Sequence, residues 1–227
     1  MALYFSGSTG NYAEITNGYA STLSGTSGMI TFWLKPIYDL GIAISTKSRG
    51  SGALFVETNS AAGSMYVGVN GFQLITNAAF ASDTWVFVAC GGNGTTSIAA
   101  GMSYINAELA FQHTSSVVWI ATAANLYLGR WDSGTFPYKG WMGDIRVWNR
   151  RLTPAEVLSV YQNQHVTSGL VERWPLTESS GSTIAGTIAG LNGTITGTPT
   201  WGGPAIPYGT PAGTSKPQHP MYQQVIG

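Results

Sequence analysis

The stretch from Tyr138 to Tyr161 constrains the fold most, because it holds one clear strand-to-helix transition in a chain that otherwise reads as strands. Residues Trp141 to Trp148 alternate, with Trp141, Gly143, Ile145 and Val147 on one side and Met142, Asp144, Arg146 and Trp148 on the other, the period of a strand. Both sides carry bulk, so the strand is expected to be central. Helical grammar follows at Thr153-Pro154-Ala155-Glu156. A hydroxyl stands at the cap, proline at the first helical position, and glutamate where it can reach back to the cap's own N–H. Val157, Leu158, Val160 and Tyr161 continue at helical spacing, predicting one short helix near 153–163.

The rest of the chain is strand-like. Runs such as Met29 to Pro36, Ala53 to Glu57, Ser64 to Val69, Trp85 to Cys90 and Asn125 to Arg130 are separated by glycine- and serine-rich turns. Asn70-Gly71 marks a two-residue hairpin, since both central positions of such a turn need positive φ. Thirty glycines in 227 residues, and strands recurring every ~8–12 residues, predict an all-β, two-sheet antiparallel β-sandwich.

The run Gly143-Asp-Ile-Arg-Val-Trp-Asn-Arg-Arg-Leu-Thr-Pro-Ala-Glu-Val157 resembles the closing signature of the laminin-G-like, concanavalin A-like jelly-roll family. Ala2 to Ile15, Met29 to Pro36 and Met102 to Leu109 are similar to that family's opening strand, a central strand and a hairpin, with Ala107 where glycine is commoner. Gly169 to Trp201 resembles a segment that the family places ahead of its opening strands. The resemblance therefore implies a circularly arranged jelly roll, residues 1–201, followed by a Pro-rich extended arm, residues 202–227.

Charged residues are 9% of the chain, ten basic against ten acidic. That balance excludes an electrostatic nucleic-acid binder, which needs a concentrated basic face. No apolar run reaches membrane-spanning length, and no secretory signal is read at Met1 to Gly7. The lone cysteine, Cys90, lies in an apolar run without positive neighbours, which predicts a buried, inert thiol.

Catalysis is not expected. A retaining glycosidase needs two carboxyl groups about 5–5.5 Å apart, and the acidic residues are isolated in sequence. His113, His165 and His219 lie too far apart for zinc spacing. Calcium is the ion the resemblance implies; Ser6 and Gly186 stand where acids are usual, which leaves Asp132 as the candidate ligand.

Carbohydrate binding is the family's common use, and Trp131, Asp132, Tyr138, Arg49 and Asn93 fall in predicted loops able to offer ring faces and polar groups. Tyr208, Met221, Tyr222, Val225 and Ile226 are the candidate docking residues of the arm. Together these features predict a non-catalytic virion surface or decoration protein, made in a host cytoplasm. Its expected partners are other virion structural proteins, copies of itself and cell-surface polysaccharide. A stand-alone lectin and, less favoured, a glycan-active enzyme are the alternatives.

Overall fold

The computed structural model describes residues 1–16, 27–37, 40–46, 54–59, 64–69, 72–76, 80–92, 101–112, 125–198 and 200–209. The elements before the long central strand are β1 (Ala2–Ser6), β2 (Tyr12–Ile15), β3 (Gly28–Pro36), β4 (Gly41–Ser45), β5 (Leu54–Asn59), β6 (Ser64–Val69), β7 (Phe72–Thr76), β8 (Val86–Gly92), β9 (Gly101–Ile105), β10 (Glu108–Gln112) and β11 (Leu126–Leu128). Then come β12 (Lys139–Trp148), α1 (Pro154–Tyr161), β13 (Leu170–Trp174), β14 (Thr183–Ile184), β15 (Gly193–Thr196) and β16 (Thr200–Gly202).

The strands form two antiparallel sheets, the sandwich expected from the turn spacing. Sheet A runs β10-β9-β8-β3-β12-β1-β16, with β13 also paired to β12, and sheet B runs β14-β15-β2-β11-β4-β5-β6-β7. Leu3, Phe5, Ile30, Phe32 and Leu34 of sheet A meet Ala13, Ile15, Leu54, Val56 and Leu128 of sheet B in a buried core. Each large apolar side chain enclosed there contributes about 1.5–3 kcal/mol. Cys90 is fully buried among them, and burial pushes its thiol pKa far up.

Residues 170–202 add strands to both sheets. β15 pairs with β2, and β16 pairs with β1, so late strands lie beside the first ones. The helix begins as its cap predicts: Thr153 and Glu156 exchange hydrogen bonds in a capping box. Its buried face, Val157, Val160 and Tyr161, closes a second apolar layer over the outer side of sheet A with Trp33, Phe87 and Trp148.

One expectation fails in detail. A bulge interrupts β12 between Gly143 and Arg146, where Asp144 takes φ of 44°. Met142, Ile145 and Val147 therefore all face the inter-sheet core, while Trp141 points outward instead of sharing a face with Ile145 and Val147. An extra residue flips the faces downstream of it. The same bulge divides one flank of β12, which pairs with β1 over Lys139–Met142 and with β13 over Ile145–Trp148.

Candidate functional site

On β2, Ala13 and Ile15 point into the core, so strand alternation sends Tyr12 and Glu14 to the outer face of sheet B. Tyr127 lies directly across from Glu14 on one side and Ser45 on the other. Asn125 donates to Glu14 Oε1 at 2.5 Å, and the Tyr127 hydroxyl donates to the same oxygen at 3.3 Å. The Arg130 guanidinium sits 3.3 Å over the centre of the Tyr12 ring, a cation held on a ring face. Arg130 Nε is buried with no hydrogen-bond partner. Burial raises the Tyr127 pKa; the Asn125 hydrogen bond opposes this, and the charges of Glu14 and Asp132 add to it. The cluster thus joins two half-buried tyrosine rings, an amide, a guanidinium and two carboxylates.

The loop of residues 129–138 treats its expected site residues differently. Trp131 is 5% exposed and packs on Phe55 and Ile42, its ring 5.1 Å from that of Phe55. Tyr138 is fully buried beside Phe5, and its hydroxyl donates to the Trp141 carbonyl. Neither ring offers an open face for stacking, so both depart from the sequence expectation. The physical reason is that the loop folds back on the sheet: the Ile42 N–H donates to the Phe136 carbonyl, and Gly41 approaches Pro137 too closely for a Cβ. The aromatic exposed in this loop is Phe136, at 48% and φ of 53°. Arg49 and Asn93 lie outside the described residues.

Asp132 is exposed, and its Oδ1 accepts the Ser133 N–H at 2.8 Å. Among the described residues no group of three or more His, Cys, Asp or Glu side chains could hold a metal, and calcium asks for several oxygen ligands. The residues around Asp132 do not fit that ion. Glu172 is fully buried instead, and its carboxylate accepts the backbone N–H groups of Arg173, Ile188, Ala189 and Leu191 at 2.7–3.1 Å. A Cβ at Gly186 would lie 2.6 Å from Glu172 Oε2, which accounts for the glycine there.

Tyr208 also corrects the sequence reading. Its ring meets Trp33 edge-on at 5.8 Å and its hydroxyl donates to Asp144 Oδ2 at 2.8 Å. It is committed to its own sandwich, because Ile206 and Tyr208 have apolar surface to bury against the layer beneath α1. Met221, Tyr222, Val225 and Ile226 lie outside the described residues.

Two stacked antiparallel sheets with a capped helix after the central strand define a laminin-G-like sandwich. The chain belongs to the family described as the concanavalin A-like lectin/glucanases superfamily, whose laminin-G-type model matches residues 7–158. No curated protein matches it in sequence. Among solved structures it is similar to a protein of Bacteroides ovatus described as a candidate carbohydrate-binding protein, at 18% identity, TM-score 0.63, covering 88% of this chain and 59% of that one. The CBM40 module of the Ruminococcus gnavus IT-sialidase matches at 19% identity and TM-score 0.55, covering 70% of this chain and 95% of that one. A heptameric SAP-like pentraxin from Limulus polyphemus matches at 15% identity and TM-score 0.53, covering 70% of this chain and 80% of that one. At such identities the likeness is one of fold. No helix among the described residues is long and apolar enough to cross a membrane.

Proposed function

We propose that this chain is a non-catalytic carbohydrate-binding module that holds an uncharged saccharide on the outer face of sheet B. The observation that carries the reading is the cluster of Tyr12, Glu14, Asn125, Tyr127 and Arg130. Sugar rings present apolar C–H faces that pack on aromatic rings, and their hydroxyls both donate and accept. Arg130 supplies donors and Glu14 an acceptor. With Asp132 nearby, the cluster carries two carboxylates against one guanidinium, so an acidic sugar meets net repulsion. The fold likeness to modules whose names refer to carbohydrate binding supports the same reading.

Binding measured on matched neutral and sialylated glycans tests it, with Tyr127→Ala and Arg130→Ala as variants. Loss of neutral-glycan binding in both variants, with the fold intact, is the expected result. Equal or tighter binding of the sialylated partners would sink the charge argument.

A second reading, attachment to a larger assembly such as a virion surface through residues 202–227, draws on the anchoring of Tyr208 and Gly209. The Gly209 N–H donates to the Tyr161 carbonyl, so Gly209 lies at the end of α1, on the side of the sandwich opposite the sheet B face. A chain ending at residue 209 then loses self-association or particle association while saccharide binding survives. Identical sedimentation of the full and shortened chains would remove this second reading.

A further inference from the structure

Directly opposed residues on neighbouring strands share one face of a sheet. The pairings Thr200↔Tyr4, Tyr4↔Trp141 and Trp141↔Lys35 therefore set these four side chains in a line across β16, β1, β12 and β3. The line is on the outer side of sheet A, since the flanking Leu3, Phe5, Met142 and Leu34 fill the inter-sheet core. Trp85 extends it, because the adjoining pair Leu34↔Val86 sets Trp85 beside Lys35. From Thr200 to Trp85 the row spans about 19 Å over four strand spacings.

Tyr4, Trp141 and Trp85 are each half-buried. The Tyr4 and Trp141 rings lie 5.0 Å apart at 48°, and Trp85 is braced edge-on against Trp33 at 6.5 Å. One edge of Trp141 rests on Gly203, where a Cβ would come within 2.4 Å of the indole. The layer formed by α1, Ile206 and Tyr208 covers Trp33 and Trp148 and packs against Trp85 at one end of the row, but includes neither Tyr4 nor Trp141. Lys35 is paired with Asp83, so the row carries no net charge. It contains rings, two hydroxyls and an ion pair but no Leu, Ile, Val or Met side chain. That mix suits the C–H faces and hydroxyls of a sugar chain better than the apolar centre of a protein interface.

The geometry points to this row as a second saccharide-binding surface, one that takes an extended, uncharged oligosaccharide lying across the strands. It rests on the saccharide reading above but occupies the opposite side of the sandwich. Two such faces on one module make binding to a polysaccharide bivalent, so loss of either face lowers apparent affinity by roughly tenfold or more.

The test uses the full chain with linear neutral hexasaccharides, cellohexaose, xylohexaose and maltohexaose, and with the corresponding polysaccharides. Trp141→Ala, Tyr4→Ser, Tyr127→Ala and the Trp141→Ala/Tyr127→Ala double variant are compared by calorimetry. The expected result is two sites in the parent, one in each of Trp141→Ala and Tyr127→Ala, and none in the double variant. If Trp141→Ala and Tyr4→Ser bind like the parent while Tyr127→Ala abolishes binding, the second surface is overturned and the sheet B site survives. If Tyr127→Ala is neutral and Trp141→Ala abolishes binding, the sheet B site falls and the row stands. If no hexasaccharide binds the parent, both fall. Should Trp141→Ala fail to fold, the Trp141 indole N–H resonance of the intact chain decides: a shift on adding oligosaccharide supports the surface, and an unmoved signal refutes it.

Discussion

Replacing Asp144 with asparagine removes one charge from the most heavily bonded carboxylate of the outer layer. Asp144 and Arg146 are each 2% exposed. The Asp144 carboxylate accepts from Arg146 Nη2 at 2.5 Å, Arg173 Nε at 2.7 Å and the Tyr208 hydroxyl at 2.8 Å. Arg146 makes further bonds to the Asn163 side chain and the Gln164 carbonyl, but these are neutral acceptors. Asparagine has nearly the same shape and enters the left-handed region readily, so the φ of 44° at this position contributes little to the difference. What remains is a buried guanidinium without its counter-charge, a situation that costs about 3–5 kcal/mol. At roughly 2–4 °C per kcal/mol for a chain of this size, the melting temperature falls by about 6–20 °C. Thermal unfolding and urea titration of parent, Asp144→Asn, Tyr208→Phe and the double variant at pH 7 measure the two quantities. Tyr208→Phe loses one bond to a charged acceptor, about 1.5–3 kcal/mol, and less in the Asp144→Asn background because the two share that bond. An Asp144→Asn chain within about 1 kcal/mol of the parent would refute the claim that this charge network holds the strap of residues 203–209 to the sandwich.

Glu172→Gln turns an amide group toward backbone N–H groups that the carboxylate now accepts, at a cost of about 3 kcal/mol; amide exchange at Ile188, Ala189 and Leu191 should quicken, and unchanged exchange would contradict the assignment. Ala107 has φ of 66° in the turn between β9 and β10, where a left-handed alanine costs about 1–2 kcal/mol and glycine's added chain entropy returns about half of that. Ala107→Gly is therefore expected to raise thermal stability by about 0.5–1 kcal/mol, and a lower melting temperature would count against the turn geometry. Stability should also fall on acidification. Arg150 and Thr153 draw the Glu156 pKa down from 4.5 to about 2. Burial opposes ionisation of Asp144, but Arg146 and Arg173 outweigh it and hold that pKa below the ordinary value. Both folded values lie below the unfolded ones, so their stabilisation is complete above the unfolded pKa and is lost as pH falls through the folded value. Because the Glu156 side chain is 30% exposed, its share is about 1 kcal/mol between pH 4.5 and 2. A Glu156→Gln chain with the parent's full acid slope would show that share to be absent.

Local chemistry made the helix and the hairpins readable. Thr153, Pro154 and Glu156 act within one turn of each other, and β6 and β7, the strands on either side of Asn70-Gly71, pair antiparallel. Glu14 and Tyr127 are equally accessible to strand alternation, since each stands between core residues, and Tyr12 shares the face of Glu14. The faces of β12 were not readable by counting, because nothing in the alternation of Trp141 to Trp148 shows that Asp144 adopts positive φ and consumes a residue in a bulge. The polar loop that carries Trp131 and Tyr138 points to a surface position for both. Their burial depends on contacts with Phe55, Ile42 and Phe5, residues far away in sequence. The place of Tyr208 is hidden from the sequence for a similar reason: its surroundings are proline- and glycine-rich, and its partner Asp144 precedes it by 64 residues.

The bulge at Gly143–Asp144 also shapes the proposed surface on sheet A. It turns Trp141 out of the core and into the row with Tyr4 and Lys35. It also lets β1 and β13 share one flank of β12, so segments from both ends of the sequence complete the same sheet. Gly143 leaves room for Ile206, since a Cβ there would lie 2.6 Å from its side chain, and Asp144 receives the Tyr208 hydroxyl. The strap that begins by supporting Trp141 through Gly203 thus ends on the residue whose backbone turned Trp141 outward. Loosening the Asp144 network should therefore reach the sheet A row through Gly203, while the Tyr12–Tyr127 cluster, on the far side of the inter-sheet core, keeps its geometry.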